Sequence, residues 1–129
     1  RKTMVTTETY KQLVIAGAKI VKDLKVINAM DFHATDKIFE AGVHLYDALK
    51  HLVNVAADMS TGEDYKLYDM AQIFYADTIS VYAHDEELGE KYYDALWNMN
   101  SGEDGAKEKW DEIRKSIPDD IQLWVRRHT

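Results

Sequence analysis

Residues 63–83 read EDYKLYDMAQIFYADTISVYA, and this stretch decides the fold. Leu67, Met70, Ala71, Phe74, Tyr75, Ile79, Val81 and Tyr82 return at intervals near three and four, with Ile73 off the stripe, so a helix built on them is apolar around most of its circumference. A surface helix needs only one apolar stripe. One that is apolar nearly all round belongs at the centre of a bundle, with neighbours on several sides. Tyr68, Tyr75 and Tyr82 recur every seven residues along the margin of the stripe, where a phenol can bury its ring and keep its hydroxyl wet.

The neighbours of this segment follow the same period. At about 100° per residue, Ile38, Gly42, Leu45, Tyr46, Leu49, Leu52, Val53 and Ala56 gather on one side of a second helix. Tyr10, Leu13, Gly17, Ile20, Val21, Leu24 and Ile27 do so on a first, where Gly17 permits a close approach by a neighbour. Strict alternation is nearly absent. The chain therefore reads as all-α, with helices over 7–29, 36–58, 63–83, 86–99, 103–116 and 118–126. The predicted architecture is a compact single-domain bundle of five or six helices around a central apolar third helix.

Punctuation marks the joints. Thr35 is placed to cap the second helix, and Asp85 the fourth. Thr61-Gly62-Glu63-Asp64 and Ser101-Gly102-Glu103-Asp104 each read as a hydroxyl N-cap followed by acids in a first turn, where the helix dipole favours negative charge. Pro118-Asp119-Asp120 gives the same signal with proline in the first turn. Tyr46-Asp47-Ala48-Leu49 and Tyr93-Asp94-Ala95-Leu96 precede these two hydroxyl motifs at spacings that differ by seven residues. Either a helix-turn-helix unit has been duplicated with one arm shortened, or two unrelated turns use the same capping residues.

Composition narrows the function classes. The 129 residues include no cysteine, which excludes disulfide scaffolds and thiol chemistry. No run reaches 18 uninterrupted apolar residues and the first residues lack the apolar core of a signal peptide, so a soluble, cytoplasmic protein without a membrane association is expected. The net charge of −7 is uneven: residues 1–25 hold six Lys/Arg against Glu8 and Asp23, while residues 26–104 hold four Lys against sixteen acids. So acidic a middle repels a phosphate backbone and disfavours direct nucleic-acid binding. The terminal cations could equally neutralise it within the fold.

Three constellations could carry chemistry. Glu86-Glu87-Leu88-Gly89-Glu90, followed after seventeen residues by Glu108-Lys109-Trp110-Asp111, resembles the paired acidic signatures of the all-α nucleotide pyrophosphohydrolases of the MazG type. That resemblance implies Mg²⁺ held by Glu86, Glu87, Glu90, Glu108 and Asp111, a bound triphosphate and an activated water. Periodicity nevertheless sets Leu88, Tyr92, Ala95, Leu96 and Met99 on the buried side of the fourth helix and these acids on the other, so only a dimer would unite them. On the second helix, Glu40, His44, Asp47, His51 and Asp58 form a ridge opposite the core stripe. There His44, His51 and Asp47 have ligand spacing for Zn²⁺, although a solvated polar face explains them as well. His84-Asp85, with His51 and Asp119 or Asp120, resembles the metal dyad of HD-domain phosphohydrolases.

The reading that fits most of the chain is a non-enzymatic, acidic helical protein without a cofactor, which works by binding another macromolecule. A protein with a basic surface is the expected partner, and an accessory or inhibitory factor imitating nucleic-acid charge is one version. The expected contact residues are Glu40, His44, Asp47, His51 and Asp58, with Tyr65, Tyr68 or Tyr93 as aromatic anchors. Ile15 and Val26, on the outer face of the Lys-rich first helix, offer a second surface through which the chain could form a homo-oligomer.

Overall fold

A computed structural model describes residues 7–30, 36–61 and 65–129. The described residues form α1 (Thr7–Asn28), α2 (Asp36–Thr61), a 3₁₀ turn (Tyr65–Leu67), α3 (Tyr68–His84), α4 (Glu86–Asn100), α5 (Ala106–Lys115), α6 (Asp119–Gln122) and α7 (Trp124–His128). They contain no strand, and the helices pack on one another as a compact bundle.

Helix α3 is central, as its circumference requires. It packs against α1, α2, α4, α6 and α7, and every residue from Tyr75 to Ala83 is buried. The main core joins Tyr10, Val14, Val21 and Leu24 of α1 and Leu49 and Ala56 of α2 to Tyr75, Ile79 and Tyr82 of α3, with Tyr93 and Val125 closing it. A smaller cluster lies on the far side of α3, where Val81 meets Tyr92 and Ile117 under Leu88, Trp110, Ile113 and Ile121. Each fully buried aliphatic side chain in these layers contributes about 1.5–3 kcal/mol relative to exposure. Tyr93 stacks on both Tyr10 and Trp97 with centroids 5.9 Å apart, and Tyr10 meets Trp97 at a tilt at 6.0 Å, which ties α1 to α4.

Four details depart from the sequence expectation. Leu67 and Met70 are exposed, because packing of α3 begins a turn later than its apolar pattern. Tyr75 is wholly buried and donates its hydroxyl hydrogen to the Leu13 carbonyl at 2.6 Å, so it is a core strut and not a wet margin. Thr61 and Ser101 each stand at the closing end of a helix. Thr61 ends α2 by donating to the Ala57 carbonyl at 2.8 Å, and Ser101 donates to the Trp97 carbonyl at 2.9 Å. After Ser101 the chain leaves α4 through Gly102, whose φ of +75° lets Glu103 N–H reach the Asn98 carbonyl and Gly102 N–H reach that of Met99, so α5 starts only at Ala106. The fourth departure is at the end, where the predicted single helix is split at Leu123. The Ser80 hydroxyl, itself bonded to the Ala76 carbonyl, accepts the Val125 N–H at 3.0 Å and takes it out of the helical ladder. Thr35 and residues 62–64 lie outside the described residues.

Two glycines fix the geometry around α4. A Cβ on Gly89 would sit 2.5 Å from the Tyr82 Cα, a backbone atom that no rotamer change can move. Gly89→Ala is therefore expected to lower the urea midpoint by the equivalent of about 1–3 kcal/mol with helical circular dichroism retained. Gly102→Ala meets no atom within 4 Å and should cost only the strain of a positive φ, about 1 kcal/mol. An unchanged midpoint for Gly89→Ala would contradict the close α3–α4 contact.

Candidate functional site

The outer face of α2 is set by what its inner face must do. With Gly42, Leu49 and Ala56 buried and Ile38, Leu45, Tyr46, Leu52 and Val53 half-buried, the opposite side is left to water. Glu40, His44, Asp47, His51 and Asp58 are all exposed there, within a sector of about 60° at 3.6 residues per turn. Between this ridge and the core stripe stand Phe39, 61% exposed, and Val43, 42% exposed, one turn apart. The sequence reading missed this pair. Its signal was two apolar residues spaced by four that straddle the edge of the core stripe.

The proposed aromatic anchors fare differently. Tyr93 is buried beneath Tyr10 and Trp97, and burial, with Asp94 and Glu90 nearby, pushes its hydroxyl up to about 12. It is not a surface anchor. Tyr68 is half-buried with its hydroxyl 3.4 Å from the Asn54 side-chain oxygen, and the Tyr65 side chain lies outside the described residues. Ile15 and Val26 are exposed on α1.

The acids of α4 and α5 do not share one site. Glu86 and Glu87 are exposed in the first turn of α4, with Glu87 3.8 Å from Lys91. Glu90 turns inward. It accepts from Lys11 Nζ and, at 3.0 Å, from the Tyr82 hydroxyl, so the expectation that it faces water is corrected. The hydrogen bond from Lys11 holds the Glu90 carboxyl below its ordinary range, while burial and the same carboxylate push the Tyr82 hydroxyl up to about 12. Glu108 lies near the other end of α4, in a cleft of about 380 Å³ with Asn98, Glu103, Asp104, Lys109 and Glu112. Glu90 and Asn98 are eight positions apart, about 12 Å along the axis. Asp111 is paired with Lys107 and Arg114, both at 3.7 Å. The Asp85 carboxylate accepts the Leu88 N–H at 3.0 Å as the cap of α4, and His84 is exposed beside it. Among the described residues no three His, Asp or Glu side chains gather closely enough to hold a metal ion, on the His44–His51 ridge or elsewhere.

The chemistry inside the bundle was not anticipated. Asp77, only 6% exposed, receives both Nε and Nη2 of Arg126 at 2.8 and 2.6 Å, and Tyr92 donates to the Gln122 side-chain oxygen at 3.0 Å. Burial pushes the Asp77 carboxyl above its ordinary range, with Arg126 opposing that shift. These groups line a cleft of about 350 Å³ between α3 and α6, with Trp110, Arg114 and Asp119 at its edge. A lone acid in an apolar run was the available signal, but its partner lies 49 residues away. The arrangement ties the C-terminal helices to the core.

No protein-family model, curated protein or solved structure matches this chain. No helix among the described residues is long and apolar enough to cross a membrane.

Removing Arg126 takes away the cation that is bonded to the buried Asp77 carboxylate. Arg126→Ala should cost about 2 kcal/mol at pH 7, below the range for sealed pairs because the guanidinium is partly in water. Without Arg126 the folded Asp77 pKa rises further above its unfolded value, and an acid whose folded pKa is raised regains stability as pH falls through that value. The difference between wild type and variant in urea melts should therefore shrink from pH 7 to pH 5. A pH-independent difference would contradict a charged Asp77.

Proposed function

We infer that this protein works by binding another protein through the outer face of α2, as an accessory or inhibitory factor without chemistry of its own. One observation carries the reading: Phe39 stands 61% exposed one turn from Val43, with Glu40 adjoining the first and Asp47 one turn beyond the second, on a helix whose opposite face is fully committed to the core. Interfaces draw their energy from a few apolar or aromatic anchors, and surrounding charges set approach and register. The Phe39–Val43 step supplies the anchor, and Glu40, Asp47 and Asp58 supply a negative rim along about 27 Å of helix axis. A partner with an apolar socket bordered by Lys or Arg complements both features. His44 and His51 sit within the rim.

The anchor and the rim are separable by experiment. Phe39→Ser should abolish capture of the partner from lysate of the source cells at all salt concentrations. The triple change Glu40→Lys, Asp47→Lys and Asp58→Lys should weaken capture most at low salt, because the Debye length falls to about 8 Å at physiological ionic strength. Both variants should keep their stability within about 0.5 kcal/mol, since the side chains are exposed. Recovery of the same proteins in the same amounts by wild type and both variants would reject the α2 face.

A further inference from the structure

A cleft farther along the Phe39–Val43 edge of α2 differs in charge from the rest of the molecule. It measures about 300 Å³ and lies where α2, α3 and α7 meet. Val53, Ile73 and Ala76 make its apolar floor, and Lys50, Arg126, Asn54 and Gln72 its polar rim, with Thr129 at one end. Lys50 and the Asp77-paired Arg126 line it with no acidic side chain, although the chain carries 23 acids against 16 Lys and Arg. The other two clefts described above hold both signs.

The rim is already ordered. Gln72 Nε2 donates to the Asn54 side-chain oxygen at 2.7 Å, which points the Asn54 amide N–H groups elsewhere. Asp77 fixes Arg126 through Nε and Nη2, leaving Nη1 and a fixed plane for a further acceptor. Lys50 is exposed and forms no ion pair among the described residues. Lys50 Nζ and Arg126 Nη1 therefore stand as donors beside an apolar floor, the inverse of what a cationic or purely apolar ligand would select.

We propose that this cleft binds a small amphipathic carboxylate, its head between Lys50 and Arg126 and its short hydrocarbon chain on Val53, Ile73 and Ala76. An eight-carbon chain occupies well under the available volume, and the charge-assisted contacts to two cations give the head its direction.

The test is a titration of the full chain with sodium octanoate, followed by amide chemical shifts, with octanol and octylamine as comparisons. Octanoate should give saturable shifts centred on Lys50, Asn54, Gln72 and Ala76, and octylamine should give none there. Lys50→Glu should weaken octanoate binding about tenfold or more, and Lys50→Arg should leave it within about twofold, both with an unchanged melting temperature. Absence of saturable shifts, shifts centred elsewhere, octanol binding as tightly as octanoate, or wild-type affinity in Lys50→Glu would each overturn the proposal.

Discussion

Everything in this fold depends on the burial of α3 from Tyr75 to Ala83 together with the polar groups it carries inside. A helix sealed on all sides must satisfy each buried donor and acceptor, or each costs about 1–3 kcal/mol. Thr78 and Ser80 donate to carbonyls one turn back, at 2.6 and 2.9 Å. Tyr75 bonds α1, Ser80 and Asp77 bond α7, and Tyr82 bonds Glu90 of α4. No side-chain nitrogen or oxygen buried among the described residues lacks a partner. Apolar burial brings the neighbouring helices to α3, and these bonds fix their register.

Such a core decides what the surface is free to do. Since α1 and α2 each spend one side on α3 and on one another, their outer faces carry no structural duty. The α2 face can therefore hold an exposed phenylalanine and a row of acids at little cost in stability. The C-terminal helices are different: α6 and α7 are four and five residues long and too short to persist alone, so their position rests on Val125, Arg126 and Gln122. Lys25, 5.5 Å from the Trp124 ring centre, adds the tie to α1, and His128 stacks on the same ring at 4.1 Å within α7.

Periodicity made most of this legible. The stripes read for α1 and α2 are buried or half-buried throughout, and the centrality of α3 follows from its apolar circumference. Turn chemistry was less legible, because a hydroxyl followed by glycine and acids satisfies both the end of one helix and the start of the next. Ser101 shows which requirement wins: Gly102 at positive φ closes α4 first. Long-range polar pairing was not legible at all. Lys11 with Glu90 and Asp77 with Arg126 are separated by 79 and 49 residues, and no local pattern announces either. Of the candidate face, the acids were read from one turn of spacing to the next. Phe39 and Val43 were not, since apolar residues at a stripe's edge look the same whether covered or bare.

Residue-resolved amide hydrogen exchange under native conditions tests the central place of α3 most directly, because it ranks local opening against global unfolding. The account predicts that the amides of Tyr75 to Ala83 exchange only through global unfolding, that the Val125 amide held by Ser80 approaches the same protection, and that those near Phe39 and Val43 open earlier. Exchange of the α3 amides through a sub-global opening that leaves α1 and α2 protected would contradict it.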